Sequence, residues 1–263
     1  MWRDCRFSVS VIVQYAFERT RIKEDDLLLR LLAAATIALF ACGGKTDTAV
    51  SHNSGGTGSL NLLVKADVDA VLSSTGSPTD LAVTVKDGAG NKVTGATVTV
   101  FNLTWGSVTL PETAAGSSGD YRKTQPSFPS GDFGLTIACN PCGVPQISPT
   151  ATITGNIQGV VLGGPGVHTI NYPKAGVVVP VNQAVAVSWT TPIQAASASI
   201  TTNNFGSVLA ADTGAYTIPG TSNPATTSQT LNIARYNEVA VAGGLYGSRL
   251  RVTVEANVSY PVQ

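Results

Sequence analysis

Residues 81–101 read Leu-Ala-Val-Thr-Val-Lys-Asp-Gly-Ala-Gly-Asn-Lys-Val-Thr-Gly-Ala-Thr-Val-Thr-Val-Phe. Leu81, Val83 and Val85 recur at every second position, the period of a strand with one buried face. Asp87, Gly88, Gly90 and Asn91 then give a turn signal, and Ala96, Val98 and Val100 resume the alternation on a second arm. Two alternating arms around a Gly-rich turn predict a β-hairpin. The fold class follows from how often this pattern repeats along the chain.

Upstream, residues 60–72 (LNLLVKADVDAVL) predict a first strand, although a short helix also fits. Downstream, short alternating runs occur at 107–110, 120–123, 131–137 and 151–158. Several short strands separated by turns predict a β-sandwich over residues 60–162. Gly163-Gly164-Pro165-Gly166 is a linker candidate, and a fresh series of strands follows at 167–171, 184–189, 195–201, 206–209, 214–219 and 230–236. The last run, 248–258, puts Leu250, Val252, Val254, Ala256 and Val258 on one face and Arg249, Arg251 and Glu255 on the other, a long closing strand with one wet face. A second sandwich is therefore expected over 163–263. A single core integrating both halves is the alternative, less favoured because the Gly/Pro break falls where the strand series restarts.

The first hairpin resembles the recurring core of bacterial Ig-like domains and of the related carboxypeptidase-regulatory type. The residues that carry the resemblance are Asp87, Gly90, Asn91, Val93, Gly95, Ala96, Val98 and Val100. The second region resembles a fibronectin type III-like or other Ig-like fold, and its Val187-Ser188-Trp189 run resembles the early tryptophan strand of that class. Together these resemblances imply an all-β protein of two tandem Ig-like β-sandwich domains. They attach no particular activity to it.

Hydrophobic residues make up 43% of the chain and charged residues only 12%. The first figure sets the chain apart from disordered sequences, and Ser, Thr, Asn, Gly and Pro supply most of the polarity. Sixteen basic residues balance sixteen acidic ones. No basic stripe is present to neutralise a phosphate backbone, so nucleic acid is not an expected partner.

Leu27 to Cys42 read LLLRLLAAATIALFAC. The uncharged stretch Leu31–Ala41 has the length of a signal-peptide apolar region and falls short of a bilayer span. Leu39-Phe40-Ala41-Cys42 resembles the lipobox of bacterial lipoproteins, with Leu three residues before the cysteine and a small residue just before it. The resemblance implies removal of residues 1–41 as leader and signal peptide, lipidation of Cys42, and a membrane anchor of more than one acyl chain, which is stable where a single chain is not. Gly43 in place of Asp favours the outer membrane. Residues 1–26, mixed in charge, are assigned to no folded domain. Residues 42–59 comprise the lipidated cysteine and a Gly/Ser/Thr-rich flexible tether.

Cys5 lies in the leader. Cys139 and Cys142, in Ala-Cys-Asn-Pro-Cys-Gly, would be oxidised in an exported protein. A strand pattern precedes them, prolines follow, and no helix pattern begins there, so the pair is expected to form a structural disulfide clipping a loop rather than a redox centre.

The chain offers few groups suited to catalysis. His52 falls in the tether, and His168, with no second histidine or acidic cluster near it in sequence, is expected at the surface. Asp67 and Asp69 share a strand face, while Asp87 and Asp120 sit at turns, without the paired arrangement a glycosidase requires. Asp87 with Asn91 suits a hairpin turn better than a calcium loop. No catalytic residue, metal ligand or cofactor is expected. The expectation is a non-catalytic cell-envelope lipoprotein acting as a structural, adhesive or protein-binding module. A carbohydrate-binding lipoprotein is the alternative, with Trp105, Tyr121, Phe128, Phe205 and Tyr246 as candidate aromatics; an enzyme with a carboxylate site comes third. Expected partners are the membrane, through Cys42, and an envelope protein or glycan, on either membrane face.

Overall fold

A computed structural model describes residues 53–147 and 151–263. The leader, Cys42 and the tether through residue 52 lie outside the described residues. The strands in order are β1 (Ser54–Gly58), β2 (Leu63–Leu72), β3 (Thr79–Lys86), β4 (Thr97–Asn102), β5 (Gly106–Leu110), β6 (Asp120–Gln125), β7 (Asp132–Val144) and β8 (Ala151–Gly163). They continue as β9 (Ile170–Tyr172), β10 (Val185–Trp189), β11 (Ser197–Thr202), β12 (Gly206–Ala210), β13 (Ala215–Ile218), β14 (Thr226–Ala240) and β15 (Arg249–Val262). A 3-10 turn, Gly220–Ser222, precedes β14.

The period-two reading accounts for how these strands pack. In β3 every second residue is buried, with Leu81, Val83 and Val85 inward, and each such side chain contributes roughly 1.5–3 kcal/mol on burial. The Asp87–Asn91 turn closes as expected: the Asp87 carboxylate accepts the backbone N–H of Ala89 and Asn91 and the Asn91 side-chain amide. Tyr121 of β6 pins the return arm. Its buried hydroxyl donates to the Val93 carbonyl (3.2 Å) and accepts the Ala96 N–H (2.9 Å).

Three sheets form, ordered β1-β8-β7-β4-β5, β13-β10-β9 and β12-β11-β14-β15-β2-β3-β6. The five-stranded sheet covers one part of the seven-stranded sheet and the three-stranded sheet covers another. Two hydrophobic cores result. The first holds Leu81, Val98, Phe133, Leu135 and Ile157; the second holds Val187, Trp189, Ile200, Leu231 and Ile233. Leu72, at the end of β2, packs against both.

In three places the structure departs from the sequence reading. The stretch expected to remain flexible through residue 59 is a strand from Ser54 onward, paired with β8. It carries no apolar alternation because backbone pairing and close approach hold it: a Cβ on Gly55 would lie 2.7 Å from the Ala240 carbonyl oxygen, and one on Gly58 2.9 Å from that of Asn156. Second, β7 does not end at Cys139 but continues to Val144 across a register shift. The Cys139–Cys142 disulfide spans this bulge, leaving Asn140 and Pro141 exposed and both cysteines buried. Third, the seven-stranded sheet crosses the expected division at residue 162. β15 pairs in parallel with β2, from Arg249 opposite Lys65 to Ala256 opposite Leu72, so Val241, Leu250, Val252 and Val254 complete the first core. The strands β14 and β15 pair from Ala240 opposite Arg249 to Thr226 opposite Val262. This one hairpin serves both cores.

Candidate functional site at the seam between the cores

Strand β8 stops at Gly163, and the segment that follows is held by side chains of the second half. Asn237 of β14 donates its amide to the Gly163 carbonyl (2.7 Å) and accepts the Ala196 N–H on its own oxygen (2.7 Å). Gly163 N–H in turn donates to the Asn53 side-chain oxygen (3.1 Å). Asn53, the end of β8 and the C-terminal part of β14 are thus joined by one run of hydrogen bonds.

Beside it lies a buried ion pair. Arg235 and Asp212 have fully buried side chains, with Nη2 2.6 Å from Oδ2. Arg235 Nε also meets both Asp212 oxygens (2.9 and 3.0 Å), Nη1 donates to the Gly166 carbonyl (2.8 Å) and Nη2 to that of Ile193 (2.5 Å). The carboxylate further accepts Trp189 Nε1 (2.8 Å) and Ala195 N–H (2.7 Å). Burial alone would raise the Asp212 pKa; the hydrogen bonds from Arg235, Ala195 and Trp189 outweigh it and hold the carboxyl below its ordinary range. Charged groups this well satisfied can stay ionised inside a protein. The pair therefore ties together the 166 loop, the β10–β11 loop and the β12–β13 loop.

His168 corrects the surface expectation: it is 3% exposed. Residues 163–166 and His168 are buried beside Arg235, and only Val167 of the 163–168 segment turns its side chain to solvent. Nε2 of His168 lies 3.1 Å from the Ile233 carbonyl, so that nitrogen carries the proton, and Nδ1 has no hydrogen-bond partner. Burial, then the Arg235 charge, lower its pKa to about 4, against smaller opposing effects of Ile233 and Asp212.

Over this seam lies an open groove of about 820 Å³. The β2–β3 turn (Ser73, Ser74, Ser77), the His168–Ile170 segment, Lys174 and Asn257 of β15 line it. Its polar lining is mainly hydroxyl, with Lys174 as its charged residue. Such a surface can hydrogen-bond a polyol or a peptide backbone.

The five candidate aromatics do not share this groove. Tyr121 is a core residue, Phe128 stacks on Phe133 (5.3 Å), and Trp105 meets Phe133 edge-on (5.6 Å). Phe205 packs against Tyr216 in the second half, and Tyr246 stands fully exposed on the β14–β15 turn. The candidate acids are likewise committed to partners. Asp67 pairs with Arg249 (2.6 Å), and Asp120 accepts the Thr84 hydroxyl (2.8 Å). Asp69, raised by burial, receives a Thr253 side-chain hydrogen bond. Glu112, which the sequence did not single out, accepts N–H groups of Gly95, Gly116, Ser118 and Gly119, and they keep its pKa low despite burial. Among the described residues no group of three or more His, Cys, Asp and Glu side chains is placed to hold a metal ion.

Arg235 and Asp212 were missed because they lie 23 residues apart. A signal existed nonetheless: Arg235 has the same parity as Leu231 and Ile233, so a charge was written on the core face of a strand.

No protein-family profile matches the chain, and no curated protein sequence does. Among solved structures, the Clostridium thermocellum CbhA fibronectin(III)-like modules match at 11% identity and a TM-score of 0.23, over 75% of this chain and 95% of that one. The IG1+IG2 pair of DIP-gamma matches at 9% identity and 0.19, covering 78% and 99%. The D0–D1 domain of intimin matches at 16% and 0.19, covering 74% and 97%. At such TM-scores no residue correspondence follows. The all-β sandwich class rests on the strand pairing described above.

Proposed function

We propose that this chain is a non-catalytic cell-envelope lipoprotein, anchored through lipid on Cys42, that presents its β-sandwiches to an envelope protein. The observation supporting this reading is the attachment of Asn53. The chain emerging from the tether is fixed at once to the seam through Gly163 and Asn237, so an anchor at Cys42 would hold both cores through their common joint. The candidate acids bond to backbone, hydroxyl or arginine partners. The seam groove, in which the hydroxyls of Ser73, Ser74, Ser77 and Thr169 lie among apolar side chains such as Leu72, Ile170 and Val258, favours a second reading, a glycan ligand in place of a protein.

The deciding experiment is the intact mass of the protein recovered from the host membrane fraction. A mass beginning at Cys42 with added acyl groups, and lowered by two hydrogens for the disulfide, supports the proposal. An unlipidated full-length mass in the cytosol overturns it. Binding of soluble envelope glycans that is lost in Asn257→Ala would select the second reading.

A further inference from the structure

The three sheets have six edge strands, and the described residues cover them unequally. Strand β1 is touched along its outer side by residues 240–242, with the Ala242 N–H bonded to the Gly55 carbonyl. Strands β5 and β6 are joined at their ends: Arg122 N–H donates to the Pro111 carbonyl and Thr113 N–H to that of Asp120. Strand β6 also carries Asp120, Arg122 and Lys123, charges of the kind that discourage edge pairing. Strand β9 has three residues and stops before Pro173; β13 has four and stops before Pro219.

Strand β5 is as neutral as β12 but turns Val108 and Leu110 inward, whereas β12 presents an exposed leucine. Strand β12, with the five residues Gly-Ser-Val-Leu-Ala, pairs with β11 in unbroken register and with no other strand. It contains no charge, no proline and no bulge, and Leu209 is 62% exposed. The surroundings are equally uncharged: between Lys174 and Arg235 the only charged residue is Asp212, which is buried against Arg235. Regular, neutral, partly apolar edges are templates for strand addition.

We propose that β12 is a docking edge for the β12 of a second copy of this chain, joining two seven-stranded sheets antiparallel about a two-fold axis. Charge selects this occupant. An edge without charge meets its own copy without repulsion, whereas a charged partner strand would find no counter-charge. Pairing this edge with the same edge of another copy about a two-fold axis gives a closed pair and not a fibre. The axis stands perpendicular to the sheet, so the two Leu209 side chains lie on one face, opposite or diagonal across the new ladder. This pairing does not depend on the lipid anchor.

The test is sedimentation velocity of the full chain over a concentration series into the high micromolar range, on wild type, Leu209→Lys, Leu209→Thr and Thr124→Lys. The expected result is a concentration-dependent dimer for wild type, Leu209→Thr and Thr124→Lys, the last altering the closed β6 edge. Leu209→Lys should remain monomeric, with an unchanged far-UV spectrum and unfolding midpoint because the position is exposed. A monomeric wild type, or a Leu209→Lys that dimerises like wild type, overturns the proposal. Should Leu209→Lys fail to fold, hydrogen exchange of wild type decides. Slowing of the Ser207–Ala210 amides with concentration is expected, and no slowing refutes the pairing.

Discussion

The two cores are similar in construction and opposite in their use of charge. Around the first, Lys65, Asp67, Asp80, Lys86, Lys92, Arg122 and Lys123 stand at least partly in solvent, and Asp67 and Glu238 meet Arg249 and Arg251 on the wet face of β2, β15 and β14. Around the second, the surface is mostly Ser, Thr, Asn, Ala and Gly with the exposed apolar side chains Val178, Val181 and Leu209; Lys174 stands in solvent, and the ion pair is inside. Surface pairs contribute little and are screened by salt. A fully desolvated pair contributes little net stability while intact and costs a great deal when broken. The first half therefore uses charge for solubility and guards its edges with it. The second uses one pair to fix three loops and leaves an edge unguarded.

The sharpest way to break this comparison is to separate the halves. A chain truncated after residue 162 loses Val241, Leu250, Val252 and Val254 from the first core. At roughly 1.5–3 kcal/mol each, that loss rivals the whole stability of a typical domain. Circular dichroism should find the fragment unfolded; a cooperatively folded fragment would show the first half to be self-sufficient.

Next in size is the buried pair. Asp212→Ala leaves Arg235 charged and unpaired, which should cost about 3–5 kcal/mol in urea unfolding. The double substitution Arg235→Met/Asp212→Leu should recover much of that, whereas Glu238→Ala on the surface should cost less than about 1 kcal/mol.

Acid should act through the second half. His168 binds its proton near pH 4 when folded and near 6.5 when unfolded. As pH falls below 6.5 the unfolded chain gains a proton that the folded chain refuses, so stability declines across the window from 6.5 to 4 and this contribution flattens below it. Between pH 7 and 4.5 the loss should be about 2–3 kcal/mol, and His168→Gln should remove that slope. The low Asp212 pKa adds a further loss only as pH falls through the carboxylate range.

Among the substitutions inside the cores, the smallest effect belongs to the disulfide. It closes a sequence separation of three, so replacing both cysteines by Ala should cost less than the roughly 3 kcal/mol of a 15-residue loop. A loss well above that would assign the bulge in β7 a larger part in holding the first core.

The strands were legible where one face is apolar and the other wet. The alternation at Leu81–Val85 and at Leu250–Val258 named the inward residues correctly, and the Asp87–Asn91 turn formed from the side chains that announced it. Strand β1 could not be seen, because glycines bound through their backbone carry no hydrophobic period. The shared sheet was hidden for a different reason: parallel pairing of Lys65 with Arg249 joins residues too distant for any local pattern to connect. At the seam, Gly163–Gly166 was correctly marked as a break in the strand series. Composition alone then suggested a linker, whereas the segment is held by Arg235 and Asn237, and His168 is carried inside with it.

Scanning calorimetry of the full chain tests the central claim, that one hairpin makes the two cores a single cooperative unit. One transition is expected, with calorimetric and van't Hoff enthalpies in agreement and a midpoint that Asp212→Ala lowers as a whole. Two resolved transitions, of which Asp212→Ala moves only one, would contradict it.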